Sequence, residues 1–158
     1  MSGAERLSEG EATKAKGTEQ FKAGNHGAAF ELYKEAAAFV DPSDGFMCEG
    51  GNEEAAKALR LASLLNGCTC ALKLKAFTEG TEMATAALTL DDSSVKALYR
   101  RGMARMGLGE YEEAKADLRR ASELDPKSKE VRDGFNECAK KEAAAKKGEK
   151  AMYGRMFS

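Results

Sequence analysis

VKALYRRGMARMGLGEYEEAKADLRRASELDPKS, Val95 to Ser128, is the stretch that decides how this chain is read. Two stretches of helix-forming residues flank Gly109-Glu110, and Asp125-Pro126 closes the second. The landmarks are Gly102, Gly109, Tyr111, Ala114, Ala121 and Pro126. A shift of 34 residues back to Leu61–Ser94 places Phe77 on Tyr111, Ala87 on Ala121 and the small Cys68 on Gly102. Lys75, Gly80 and Asp92 stand where Gly109, Ala114 and Pro126 stand, so this copy is more degenerate. Upstream, Gly10–Ser43 sets Gly17, Gly24, Ala29, Tyr33 and Ala36 at the places of Gly102, Gly109, Ala114, Leu118 and Ala121. Its Pro42 falls one residue late relative to Pro126. The spacing between these two upstream copies is 51 residues, an insertion of 17, placed at 44–60.

A period of this length predicts one pair of antiparallel helices per repeat. Gly24-Asn25 and Gly109-Glu110 supply the turns within a pair. Asp41-Pro42 and Asp125-Pro126 end the second helices, because a residue before proline is pushed out of the helical region. Asp41 to Asn52 reads as a loop, and the helical pattern resumes at Glu53, ahead of the repeat proper. After Ser128, Val131, Phe135 and Cys138 form an apolar stripe at helical spacing, suited to covering the open end of the stack. The expected organisation is a tail over 1–9, repeats at 10–43, 61–94 and 95–128, and a capping helix with tail over 129–158.

Composition agrees. Only 2 prolines and 28 alanines occur in 158 residues, which favours long helices that cross closely. Charged residues are 32% of the chain but sum to −1, which argues against a general polyanion binder such as a non-specific nucleic-acid protein. No apolar run approaches the ~20 residues of a membrane span, and the first residues lack a signal peptide's apolar core. Four cysteines with no targeting signal point to reduced thiols in the cytoplasm.

The landmarks resemble the tetratricopeptide repeat (TPR) over roughly residues 10 to 128, which implies an all-α superhelix of three helix-turn-helix repeats plus a capping helix. A narrower resemblance is to the C-terminal TPR domain of large immunophilins. KALYRRG in the third repeat and EKAMYGRMFS at the end look like that family, which includes cyclophilin 40. KALRLASLLN and LKLKAF look closer to its FKBP-type co-chaperones. The resemblance implies a carboxylate clamp that grips the Glu-Glu-Val-Asp C-terminus of heat-shock protein 90 or 70. Carried over by repeat position, the clamp residues are Lys14, Asn66, Lys96 and Arg100. Thr18 stands where many clamps have a further asparagine. The resemblance also implies a parent protein with a peptidyl-prolyl isomerase domain, for which this chain has no room, so no catalysis is expected of it.

The residues support such a site on their own. Lys96 and Arg100 are four apart and share a helix face. Lysine offers a point charge, and arginine a fork that bonds carboxylate bidentately. Asn66 lies in an apolar stretch, LASLLNGC, where an amide that both donates and accepts needs a partner. The bland readings are a solvated face for the lysines and a structural hydrogen bond for Asn66. A TPR scaffold for a different peptide or partner helix remains the alternative.

Other chemistry finds little support. Cys68-x-Cys70 points to two helix faces, with no second pair or histidine to complete a metal site. Cys48 and Cys138 read as incidental. The one histidine, His26, follows a turn and is expected at the surface, without a catalytic partner. No cofactor is expected. From Lys129 the chain carries 8 basic and 5 acidic residues. A basic helix can bind calmodulin or a membrane surface, but AAAKKGEK interrupts its apolar face and argues against both.

Overall fold

The computed structural model describes residues 1–44 and 52–157. Seven α-helices run along them: α1 (Gly3–Lys22), α2 (His26–Phe39), α3 (Glu53–Lys73), α4 (Phe77–Leu90), α5 (Val95–Gly107), α6 (Tyr111–Leu124) and α7 (Lys129–Met156). A 3-10 turn, Pro42–Asp44, follows α2. Most of the expected loop and Cys48 lie outside the described residues. Among those described, no helix is long and apolar enough to cross a membrane.

The three turns inside the helix pairs are one structure made three times. Gly24 donates to the Phe21 carbonyl and Asn25 to that of Gln20. Lys75 to Leu72 and Ala76 to Ala71 repeat the pattern, as do Gly109 to Met106 and Glu110 to Arg105. Each is a Schellman ending, which needs one residue in the left-handed region. Gly24 and Gly109 supply it at φ 82° and 77°; Lys75 is forced to 58°. Lysine there pays for its Cβ against the carbonyl, at about 1–2 kcal/mol. Lys75→Gly is therefore expected to raise stability by about 0.5–1 kcal/mol, net of the added freedom of the unfolded chain. Thermal melts check this, and an unchanged or lower midpoint would refute it.

Packing inside each pair follows small against large. A Cβ on Gly102 would lie 2.8 Å from Leu118 Cγ, and one on Gly17 would lie 3.1 Å from the Tyr33 ring. In the middle pair the sizes are reversed: Cys68 replaces the glycine and Ala84 the large partner, and both are fully buried. The Cys68 thiol donates to the Gly80 carbonyl at 3.3 Å.

The helices form two unequal layers. Helices α1, α3, α5 and α7 touch one another in series, whereas α2, α4 and α6 make no contact among themselves. The touching row is the inner face of a curved stack, and side chains on it share one groove.

One departure from expectation lengthens the N-terminal end of the stack. Residues 1–9, expected as a tail, are helical from Gly3, where Ser2 and Glu5 form a reciprocal capping box. The early start of α3 at Glu53 matches this extension. The extra turns build a small core of Leu7, Val40, Ala56 and Leu59. Arg60 and Arg6 donate to the Ala37 and Ala38 carbonyls at 2.9 and 3.4 Å, satisfying the end of α2. Arg60 also lies 3.4 Å from Asp41. Burial pushes the Asp41 carboxyl up, but Ser43 hydrogen bonds and the two arginines outweigh it, leaving it below the usual range.

At the other end, α7 buries Val131, Gly134 and Cys138. Lys115 of α6 bonds Glu142 at 2.8 Å, the last firm link between α7 and the stack. This hydrogen bond holds the Glu142 carboxyl below its ordinary range. The helix continues without a break through Lys140–Lys150, and every residue from 143 to 157 is exposed.

Candidate functional site

The groove is built from α1, α3 and α5. Thr18, Phe21, Tyr33, Asn66, Thr69 and Arg100 line a pocket of about 290 Å³. Thr18 also lines an adjoining, longer trough of about 460 Å³ with Lys14, Glu11, Ala15, Ala55, Ala58, Leu59 and Ala62. Thr18, Asn66 and Arg100, predicted from sequence, are thus brought to one pocket, with Lys14 next to it through Thr18. Lys96 is exposed one turn before Arg100 on α5 and lines neither cavity.

Hydrogen bonds fix the walls. Arg100 Nη1 donates to the Leu65 carbonyl at 3.1 Å, tying α5 to α3 beside Asn66. Thr69 donates to the same carbonyl at 3.2 Å. Thr18 Oγ1 donates to the Lys14 carbonyl at 3.2 Å and lies 2.9 Å from Tyr33 Oη. A hydroxyl has one proton, so the Tyr33 phenol is the donor in the second bond. Thr18 is left with acceptor capacity only, where an asparagine would also offer two N–H donors.

The charges are asymmetric in a telling way. Lys14, Lys96 and Arg100 have no ion-pair partner among the described residues. Arg101, the very next residue, is fully engaged: its Nε and Nη2 reach Asp117 at 2.9 and 2.7 Å, and Nη1 reaches Thr85 at 3.3 Å. Of the two arginines in KALYRRG, one locks the fold and the other faces the groove with donors to spare.

Phe21, Tyr33 and Thr69 were missed by sequence reading. Phe21 and Thr69 lie three residues after Thr18 and Asn66, one turn further along the same faces, so helical spacing held the signal. Lys73 Nζ sits 5.9 Å over the Phe21 ring, and the His26 ring lies 5.1 Å from it. His26 is therefore half-buried rather than surface-exposed, and its Nδ1 is buried without a partner. Burial pushes the Cys68 thiol up to about 11 and also raises Cys70 and Cys138. All three remain neutral thiols at physiological pH, inert as nucleophiles.

Comparison with known proteins places this geometry. The tetratricopeptide-repeat model matches residues 95–128. The C-terminal TPR-containing domain of an FK506-binding protein of Plasmodium falciparum superposes with a TM-score of 0.85 at 30% identity, over 93% of this chain and 97% of that one. The chain belongs to the tetratricopeptide-repeat family and is related to the C-terminal TPR-containing domain of that FK506-binding protein. The TPR domain is also 34% identical over 157 residues to mouse peptidyl-prolyl cis-trans isomerase FKBP4, covering 99% of this chain but 34% of that protein. It thus spans about a third of the length of that curated relative. It is a TPR helical domain, not the catalytic part behind the isomerase name. Two RPAP3 TPR domains share the fold. The first TPR of Spaghetti (RPAP3), solved with the HSP90 peptide SRMEEVD, is 26% identical with a TM-score of 0.66, over 83% of this chain and 90% of that one. The second TPR domain of human RPAP3, solved with the HSP70 peptide SGPTIEEVD, is 28% identical with a TM-score of 0.65, over 80% and 92%. The TPR domain is therefore related to domains that bind chaperone C-terminal peptides.

Proposed function

We propose that this TPR domain docks the C-terminal Glu-Glu-Val-Asp peptide of heat-shock protein 90 or 70 through a carboxylate clamp. The observation that carries the reading is that Lys14 and Arg100, which line the groove, and Lys96, one turn before Arg100, have no carboxylate partner among the described residues, beside an arginine that has one. An acidic peptide end supplies the missing anions: a terminal carboxylate and an aspartate side chain at close spacing. Arg100 bonds carboxylate through the donors not used on Leu65, Lys14 and Lys96 supply point charges, and Asn66 bonds the extended backbone. Thr18 contributes as an acceptor and as a wall. Three or four charge-assisted bonds, less the cost of ordering a flexible tail, give roughly micromolar affinity. In this reading the repeats are those at 10–43, 61–94 and 95–128, with α7 as cap, and the domain is the chaperone-binding part of a cytoplasmic peptidyl-prolyl isomerase.

The test is a calorimetric titration with a peptide ending Met-Glu-Glu-Val-Asp, as free acid and as C-terminal amide. Amidation removes one anion and should weaken binding at least tenfold. Rising salt should weaken the free acid as well, since the contacts are charged. Equal binding of acid and amide would refute the clamp.

A further inference from the structure

We propose that the cleft between α6 and α7 is a second binding site, one that takes a phosphate monoester. Arg119 and Ser122 of α6 and Arg132, Phe135 and Asn136 of α7 line a pocket of about 290 Å³. It shares no lining residue with the groove on α1, α3 and α5.

Its electrostatics are unbalanced. Arg60, Arg101, Arg105 and Arg120 each lie within 4.0 Å of a carboxylate. Arg119 and Arg132 have no such partner among the described residues, although they border one cleft. Two guanidinium groups repel each other across a cleft, and an anion between them reverses the sign. Arg119 lies over the face of the Phe135 ring, 5.9 Å from its centroid. That contact uses no N–H donor of Arg119, and none is bonded elsewhere among the described residues, so the guanidinium keeps its donors for a ligand. The Ser122 hydroxyl and Asn136 amide also have no hydrogen-bond partner among the described residues, so neutral donors stand beside the charged ones.

The size and charge narrow the ligand. Pockets for small molecules run from about 300 to 1,000 Å³, so this one accepts a single phosphorylated side chain or a small organic phosphate. A carboxylate carries one charge and is satisfied by one arginine fork. A phosphate monoester carries about −1.5 to −2 at pH 7 with three acceptor oxygens, which answers two arginines, a hydroxyl and an amide together. Phe135 gives the organic portion an apolar surface.

The full chain, labelled with nitrogen-15, is titrated with phenyl phosphate, a phosphotyrosine peptide and phenol in near-physiological salt. Phenyl phosphate should shift amides of α6 and α7 around residues 119–136 saturably, and phenol should not. A phosphopeptide that binds there as tightly assigns the phosphate to a protein partner. Binding of phenyl phosphate alone assigns it to a free metabolite. Arg119→Gln and Arg132→Gln, both at exposed positions, should each weaken phenyl phosphate about tenfold while leaving helicity and the groove peptide's affinity unchanged. No saturable shift in the millimolar range, shifts confined to α1, α3 and α5, or undiminished binding by both variants would overturn the site. Because the readout is separate, loss of the clamp leaves this proposal standing, and the reverse holds.

Discussion

Asp117→Ala is expected to lower the unfolding free energy by about 3 kcal/mol, toward the low end of the roughly 3–5 kcal/mol seen when one partner of a buried ion pair is removed. Asp117 is 4% exposed and accepts three hydrogen bonds: two from Arg101 and one from Arg105 Nη1 at 2.9 Å. Its removal leaves two guanidinium groups facing each other between α5 and α6. Their side chains are 18% and 23% exposed, so water screens part of the penalty, which sets the estimate low. In a domain of this size the loss corresponds to about 6–12 °C in melting midpoint. Asp117→Asn keeps the volume but not the charge, and should fall between wild type and alanine. A midpoint within about 2 °C of wild type for Asp117→Ala, where 1 kcal/mol is worth about 2–4 °C, would show the triad to be energetically idle.

Arg100→Ala is expected to weaken binding of a peptide ending Met-Glu-Glu-Val-Asp by tenfold or more, the worth of one charged hydrogen bond of about 1.5–3 kcal/mol. Two effects combine here, because Arg100 also ties α5 to α3 through the Leu65 carbonyl. Lys96→Ala removes charge alone, since Lys96 makes no bond within the described chain. It should therefore weaken the peptide with no change in melting midpoint, whereas Arg100→Ala lowers both. Arg100→Lys retains the charge but not the fork, and partial recovery by lysine would measure how much of the grip is bidentate. Calorimetry with both variants decides. Unchanged affinity in Lys96→Ala and Arg100→Ala alike would remove these cations from the site.

The repeat architecture was legible because its punctuation is chemical. Gly24, Gly109 and the Asp-Pro pairs mark backbone conformations that few residues tolerate, and these survive where packing residues drift. Lys75 shows the limit: it holds the same left-handed position with no sequence mark, so only the fixed spacing pointed to it. The first nine residues were misread because they have no counterpart in another repeat, although Ser2-Gly3-Ala4-Glu5 is a capping box that could have been recognised. Asp117 was also missed. The equivalent positions are Leu32 and Met83, both apolar, and an acid at a core position is itself a signal of buried cations. In the groove, the charged residues were visible through their spacing, but Tyr33 entered only because Thr18 reaches across to the second helix of its pair. That contact depends on how two helices cross, which periodicity along one helix does not encode.

The two unequal layers have a mechanical consequence. Helices α2, α4 and α6 do not pack on each other, so the outer layer joins successive repeats only through its packing on α3, α5 and α7. Bending therefore works against two sets of joints: those of α2, α4 and α6 on the next inner helix, and those along the row α1–α3–α5–α7, where Arg100 ties α5 to α3 through the Leu65 carbonyl. Whatever fills the groove sits against the inner row, and so bears on one of the two sets of joints that hold the curvature of the stack.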